Sequence, residues 1–161
     1  MTSGAISLGK SMAELMDELG RNPGRLCLVE GAGSGRDLVR LIAQGFGDEP
    51  TSVGRVVTHD AATEAPGDVT SNFADAQFLV DLDVLFWPAM KVNPLQLLRS
   101  LSRSKPLISH WPGEITGRRA TYSELGRRDY FDSTIGDAVV VRPRSVGFPD
   151  ETPYTIERIP A

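Results

Sequence analysis

RLCLVEGAGSGRDLVRLI, from Arg25 to Ile42, passes from a short apolar run through a glycine-rich turn into apolar residues at helical spacing. Strand, loop and helix in that succession are the grammar of a phosphate-binding loop. Gly31, Gly33 and Gly35, with Ala32 and Ser34 between them, let the backbone curl so that successive N–H groups point inward. The helix that follows adds the positive end of its dipole, completing a receptor for an anion. Laid on G-x-x-x-x-G-K-[ST], the register places Glu30 at the first glycine, Arg36 at the lysine and Asp37 at the magnesium-binding hydroxyl. Gly31 to Asp37 are therefore the candidate phosphate-binding residues, with their two chemically active positions rewritten.

A guanidinium at position 36 can still grip a phosphate through bidentate bonds. Asp37 works against it, because a carboxylate ~4 Å from a phosphate repels it by roughly 1 kcal/mol even in water. Binding that is weak or metal-dependent is expected, with hydrolysis in doubt. The loop of a complete nucleotide site also needs an acid at the end of a neighbouring apolar strand, to hold Mg²⁺ from the other side. Phe78-Leu79-Val80-Asp81 supplies one, and Asp83 is its alternative.

Three other readings of the glycines stay open. A methyltransferase-type loop also follows a strand with an acid and alternating glycines, and Asp60 falls where a ribose-binding acid belongs. Here the acid, Glu30, sits one residue too near the first glycine, and the chain is short for that fold. A dinucleotide loop, G-x-G-x-x-G, would put Arg36 at its last glycine. The plainest alternative is a tight strand-to-helix turn.

The 161 residues suffice for one domain with a real core, and 40% hydrophobic with 24% charged residues excludes a disordered chain. No apolar run is long enough to span a bilayer and no signal peptide is evident, so a cytoplasmic protein without a membrane role is expected. The single cysteine, Cys27, has no internal disulfide partner and reads as a buried strand residue. A net charge of −4 hides an asymmetry: residues 1–90 carry 6 basic and 13 acidic side chains, residues 91–161 carry 11 and 8. The basic half is the one to expect against an anion or an acidic partner.

Ser11 and Glu14 have capping-box spacing, and Leu8, Met12, Leu15, Met16 and Leu19 recur at three and four, which predicts an amphipathic helix within residues 1–22 packed on the rest. Leu26 to Val29, apolar on both faces, reads as a central parallel strand. Gly54 to Thr58 and Phe78 to Phe86 read as further strands, and Asp60 to Thr70 as a loop. Asn93-Pro94 opens a leucine helix that Lys105-Pro106 stops, Leu107 to His110 is a strand, and Arg118 to Arg128 is a polar loop. Strands at Ala138 to Val141 and Tyr154 to Ile159 close the chain. The alternation predicts an α/β three-layer sandwich with a mostly parallel sheet and a short β-rich C-terminal tail.

His59 and His110 lack metal-like spacing and read as structural. Trp87 and Trp111, each followed by proline, read as packed against the turns they begin. Arg118, Arg119, Arg127 and Arg128 form two basic pairs around Tyr122, a candidate surface for a protein partner first and DNA second.

The distal half adds a family likeness. Residues 84–131, with the acidic-apolar segment ending in Leu85-Phe86, Asn93-Pro94-Leu95, Trp111-Pro112-Gly113 and Thr121-Tyr122-Ser123-Glu124, resemble the BrxF family, small P-loop-containing components of type 3 bacteriophage-exclusion (BREX) systems. With residues 30–37 the likeness spans most of 25–131, leaving 60–75 unmatched. It implies a P-loop NTPase-like domain using ATP and Mg²⁺, working beside an ATPase, a methyltransferase and a phosphatase-like protein, with homo-oligomers as a further option. The family's loop lysine and hydroxyl carry over to Arg36 and Asp37, and its strand acid to Asp81 or Asp83. That departure leaves two expectations open: an accessory protein with a degenerate loop, or a working NTPase.

Overall fold

The computed structural model describes residues 13–21, 25–57, 76–103, 105–143 and 154–160. Their frame is a six-stranded sheet in the order β2-β3-β4-β1-β8-β9. The strands are β1 (Leu26–Glu30), β2 (Thr51–Ser52), β3 (Phe78–Val80), β4 (Leu107–Trp111), β8 (Ala138–Pro143) and β9 (Tyr154–Ile159). All neighbours run parallel except β8 and β9, which are antiparallel. A separate antiparallel sheet joins β5 (Glu114–Thr116), β6 (Arg119–Tyr122) and β7 (Phe131–Thr134).

The period-2 alternation of β1 sets the layers. Leu26 and Leu28 face a core shared with Leu79, Leu107 and Val140 and closed by Leu95, Leu98 and Leu101 of α4 (Pro94–Ser102). Cys27 and Val29 face the opposite core, with Ile108 and Val139, closed by Leu15 and Leu19 of the helix over 13–21 (α1) and by Leu38, Val39 and Ile42 of α2 (Gly33–Gly45). Helices thus cover both faces of a mostly parallel sheet. The predicted N-terminal helix packs on it as expected, although Leu8, Ser11 and Met12 lie outside the described residues. The cysteine is fully buried, and its thiol pKa is pushed far up by desolvation, so it stays protonated.

Asn93 caps α4 as predicted, its Oδ1 accepting from the Gln96 N–H at 3.1 Å, with Pro94 in the first turn. Three expectations need correction. Residues 53–57 are helical (α3), not a strand: Val53 and Val57, four apart, are both buried, and Ser52 Oγ accepts the Arg55 N–H like an N-cap. The strand that begins at Phe78 ends at Val80, because Asp81 turns left-handed (φ 60) into a 3₁₀ helix, Leu82–Phe86. Burial of Leu82, Leu85 and Phe86 fits the three-residue repeat of that helix. Arg118 to Arg128 is not simply a loop: Arg119 to Tyr122 pairs on both sides as the central strand of the small sheet. The segment 60–75, Asp60 and His59 lie outside the described residues.

Candidate functional site

In a doubly wound sheet, ligands meet the carboxyl ends of strands whose following segments leave toward opposite faces. Adjacent strands β1 and β4 fit that rule: β1 leads into α2 on one face, while β4 leads into the small sheet, whose Ile115 and Ala120 join the other core. Glu30, Gly31 and His110 lie at this point, with Asp81 one strand further along.

The turn after β1 is tighter than the sequence suggests. Only Gly31 and Ala32 separate strand from helix, and Gly33 to Gly35 already form the first turn of α2, so Arg36 lies inside the helix and does not open it. Nothing in the sequence prevents Gly33 and Ser34 from taking helical angles, and burial of Leu38, Val39 and Ile42 draws the helix onto the sheet. Two glycines have distinct physical reasons. Gly31 is at φ +110, open to glycine alone at low cost. Gly35 has no room for a side chain: an added Cβ would lie 2.6 Å from the Glu30 carbonyl oxygen and 3.0 Å from His110 Cδ2. Gly33 meets nothing within 4 Å. No side chain caps the start of α2.

The predicted cation and the predicted strand acid are brought together, but onto each other. Arg36 Nε and Nη2 donate to Asp81 Oδ1 and Oδ2 at 2.8 and 3.3 Å, and Ser52 Oγ donates to Oδ2 at 2.5 Å. The Asp81 carbonyl accepts the Gly54 N–H at 3.1 Å, so side chain and backbone are both held. The Arg36 guanidinium, foremost, and then the Ser52 hydroxyl hold the Asp81 carboxyl below its usual pKa against the opposing effect of burial. Beside the pair opens a cleft of about 460 Å³ whose charged lining includes Arg36, Arg40, Arg55, Asp48 and Glu49. Asp37 points away from this pairing, largely exposed, with its carboxylate 4.0 Å from Arg40.

Asp83 is elsewhere. Its Oδ2 accepts from the Tyr122 hydroxyl at 2.9 Å, because the 3₁₀ turn separates it from the face of Asp81. That contact, after burial, helps raise the Tyr122 pKa well above its ordinary value. The two carboxylates therefore do not form one metal site, and among the described residues no group of three metal-ligating side chains occurs.

His110 takes the structural role expected of it, whereas the part played by Glu30 was not legible in the sequence. Glu30 Oε2 accepts the Ile115 N–H at 2.6 Å and Oε1 accepts from Arg142 Nε at 3.2 Å, tying β1 to the small sheet and to β8. An acid at a strand end before a glycine was the available signal, but the partners are distant in the chain. His110, 5% exposed, contacts the Gly31 carbonyl through Nε2 at 2.5 Å. A carbonyl only accepts, so Nε2 carries the proton.

Burial lowers the His110 pKa, the chief cause, against the Gly31 hydrogen bond. The unfolded chain, with an ordinary pKa near ~6.5, then binds more protons than the folded one, and stability falls as pH drops below about 6.5. Denaturant titrations between neutral pH and mild acid are expected to show that decline in the wild type and a flatter profile in His110→Gln. His59, retained in the variant, controls for the other imidazole. Equal slopes would mean that His110 titrates alike in both states.

Of the four arginines, Arg119 pairs with Asp132 and Arg127 lies 3.7 Å from Glu124. Arg118 and Arg128 have no ion-pair partner among the described residues. Trp111 is fully buried as expected, whereas Trp87 is 61% exposed, contrary to the expectation that it packs against its turn. Among the described residues no helix is long and apolar enough to cross a membrane. Comparison with protein families, with curated proteins and with solved structures gives no match.

Proposed function

We propose that this chain is a P-loop NTPase-like accessory protein of a BREX-type phage-defence system, whose nucleotide site is held shut by an ion pair. The observation that carries the nucleotide-site reading is the Arg36–Asp81 bridge. A glycine turn after β1 and an acid after β3, with β4 between them, supply the cation and the acid of a phosphate and Mg²⁺ site. Each satisfies the other, so an incoming phosphate must compete with a carboxylate already bound in bidentate fashion. The likeness to the BrxF family supports the pathway, and the absence of a lysine and a hydroxyl from positions 36 and 37 supports a binding role over hydrolysis.

A ligand bound only by the native state raises the melting temperature by mass action. With ATP, ADP or pyrophosphate, with and without Mg²⁺, the wild type is expected to shift little. Asp81→Asn, which frees the guanidinium, is expected to shift more at the same concentration, by a binding gain of about tenfold for ~1.4 kcal/mol of released competition. Arg36→Ala should not respond. If Asp81→Asn combined with Arg36→Ala responded as strongly as Asp81→Asn alone, Arg36 would be removed from the phosphate site. Mg²⁺-dependent phosphate release from ATP by the wild type, lost in Arg36→Ala, would establish the working NTPase instead. The pathway is tested by co-purification with the system's ATPase, methyltransferase or phosphatase-like protein and by phage plating on a deletion strain.

A further inference from the structure

A second surface lies on residues that share nothing with the cleft. Pro88 forces its predecessor into extended geometry, and Trp87 adopts φ −71 and ψ 131 between two 3₁₀ turns, Leu82–Phe86 and Pro88–Met90. Backbone bonds fix it at both ends: its N–H reaches the Val84 carbonyl at 3.3 Å and its carbonyl accepts from Met90 at 3.0 Å. Its chain neighbour Phe86 is stacked on Tyr122 at 3.9 Å and packed edge-on against Trp111 and Phe131, which anchors the backbone on the N-terminal side of Trp87. Trp87 itself is 61% exposed.

Grooves of about 480 and 420 Å³ adjoin this side chain, both lined by Trp87, Pro88 and Arg128. The first has Asp129, whose carboxylate already accepts from the Ser123 hydroxyl at 2.6 Å. The second has Lys91. Neither Lys91 nor Arg128 has a carboxylate partner among the described residues, in a chain where Arg36, Arg119, Arg127 and Arg142 all do. An exposed indole flanked by two uncompensated cations complements a ligand that is apolar at its centre and negative at its edges.

We infer that the Trp87 groove is a docking site for a short acidic segment of a partner protein, one bulky apolar side chain packing on the indole and flanking carboxylates meeting Lys91 and Arg128. A nucleic-acid strand fits less well, because two cations on a chain of net charge −4 do not make the basic track that a phosphate backbone requires.

Selection of random short peptides on the immobilised full chain tests this. The enriched peptides are expected to share an aromatic or leucine residue flanked by Asp or Glu. Trp111 is fully buried, so tryptophan quenching by acrylamide reports chiefly on Trp87, and it should fall as a selected peptide binds. Trp87→Ala is expected to weaken binding about tenfold or more, as a central aromatic anchor does. Lys91→Ser with Arg128→Ser should weaken it about fivefold and reduce its dependence on salt. Both changes are at exposed positions, so unaltered melting temperatures verify the fold. No enrichment, enriched peptides without acidic residues, or binding indifferent to Trp87→Ala would overturn the proposal. Protection of Trp87 by oligothymidylate, in a strongly salt-dependent manner, would replace it with a single-strand nucleic-acid surface.

Discussion

Gly35→Ala is expected to destabilise the protein by about 2 kcal/mol, a crowding penalty of roughly 3 kcal/mol partly offset by ~1 kcal/mol of helix propensity. The obstacle is backbone: the new methyl would meet the Glu30 carbonyl oxygen at 2.6 Å and its carbon at 2.9 Å, and neither can rotate away as a side chain would. A fall in melting temperature of about 4–8 °C corresponds to that loss in a chain of this size. Gly33→Ala is the control, because its methyl enters open space on the same helix turn and should leave stability unchanged or raise it by up to ~1 kcal/mol. If both substitutions left stability alone and altered only ligand response, the two glycines would serve a phosphate and not the packing of α2 on β1.

Glu30→Ala is expected to cost about 3 kcal/mol, from a buried N–H left without a partner and a partly buried guanidinium that loses one carboxylate. Its side chain and that of Arg142 are 22% and 28% exposed, so solvent screens the pair only in part. Arg142 keeps the Ile115 carbonyl at 2.9 Å and Glu157 at 3.0 Å, which limits the loss below that of an isolated buried charge. Glu30→Gln, which retains an acceptor for the Ile115 N–H, should recover about half of it. Denaturant unfolding reads the difference, and a loss below about 1 kcal/mol for the alanine variant would class the contact with ordinary surface pairs.

These two expectations change the meaning of the segment from Glu30 to Gly35. Its glycines read as a phosphate cradle, yet one is required by a left-handed turn and another by the approach of helix to strand. The acid before them, which in a methyltransferase-type loop would serve a cofactor, is spent on joining two sheets. What remains for an anion is Arg36, and its present partner is a carboxylate.

Local rules acting over a few residues were enough to determine the strand over Leu26 to Val29, the amphipathic helix after it, the capped helix from Pro94 and the parallel α/β layering, because apolar periodicity and caps depend on near neighbours alone. The sequence also put forward Arg36 as a cation with Asp81 or Asp83 as its companion acid, and the structure sets Arg36 against Asp81. Tertiary structure alone decided the rest. Asp81 and Asp83 part company because a left-handed residue ends β3, and such a turn is favoured by the Arg36, Ser52 and Gly54 contacts that hold it from elsewhere in the chain. Arg119 meets Asp132 across a strand pairing and Arg127 meets Glu124 one turn away, while Tyr122 and Phe131 pack on Phe86 and Trp87 stays largely exposed. Contacts between residues distant in sequence fix these side chains, and no local spacing encodes which of several possible partners wins.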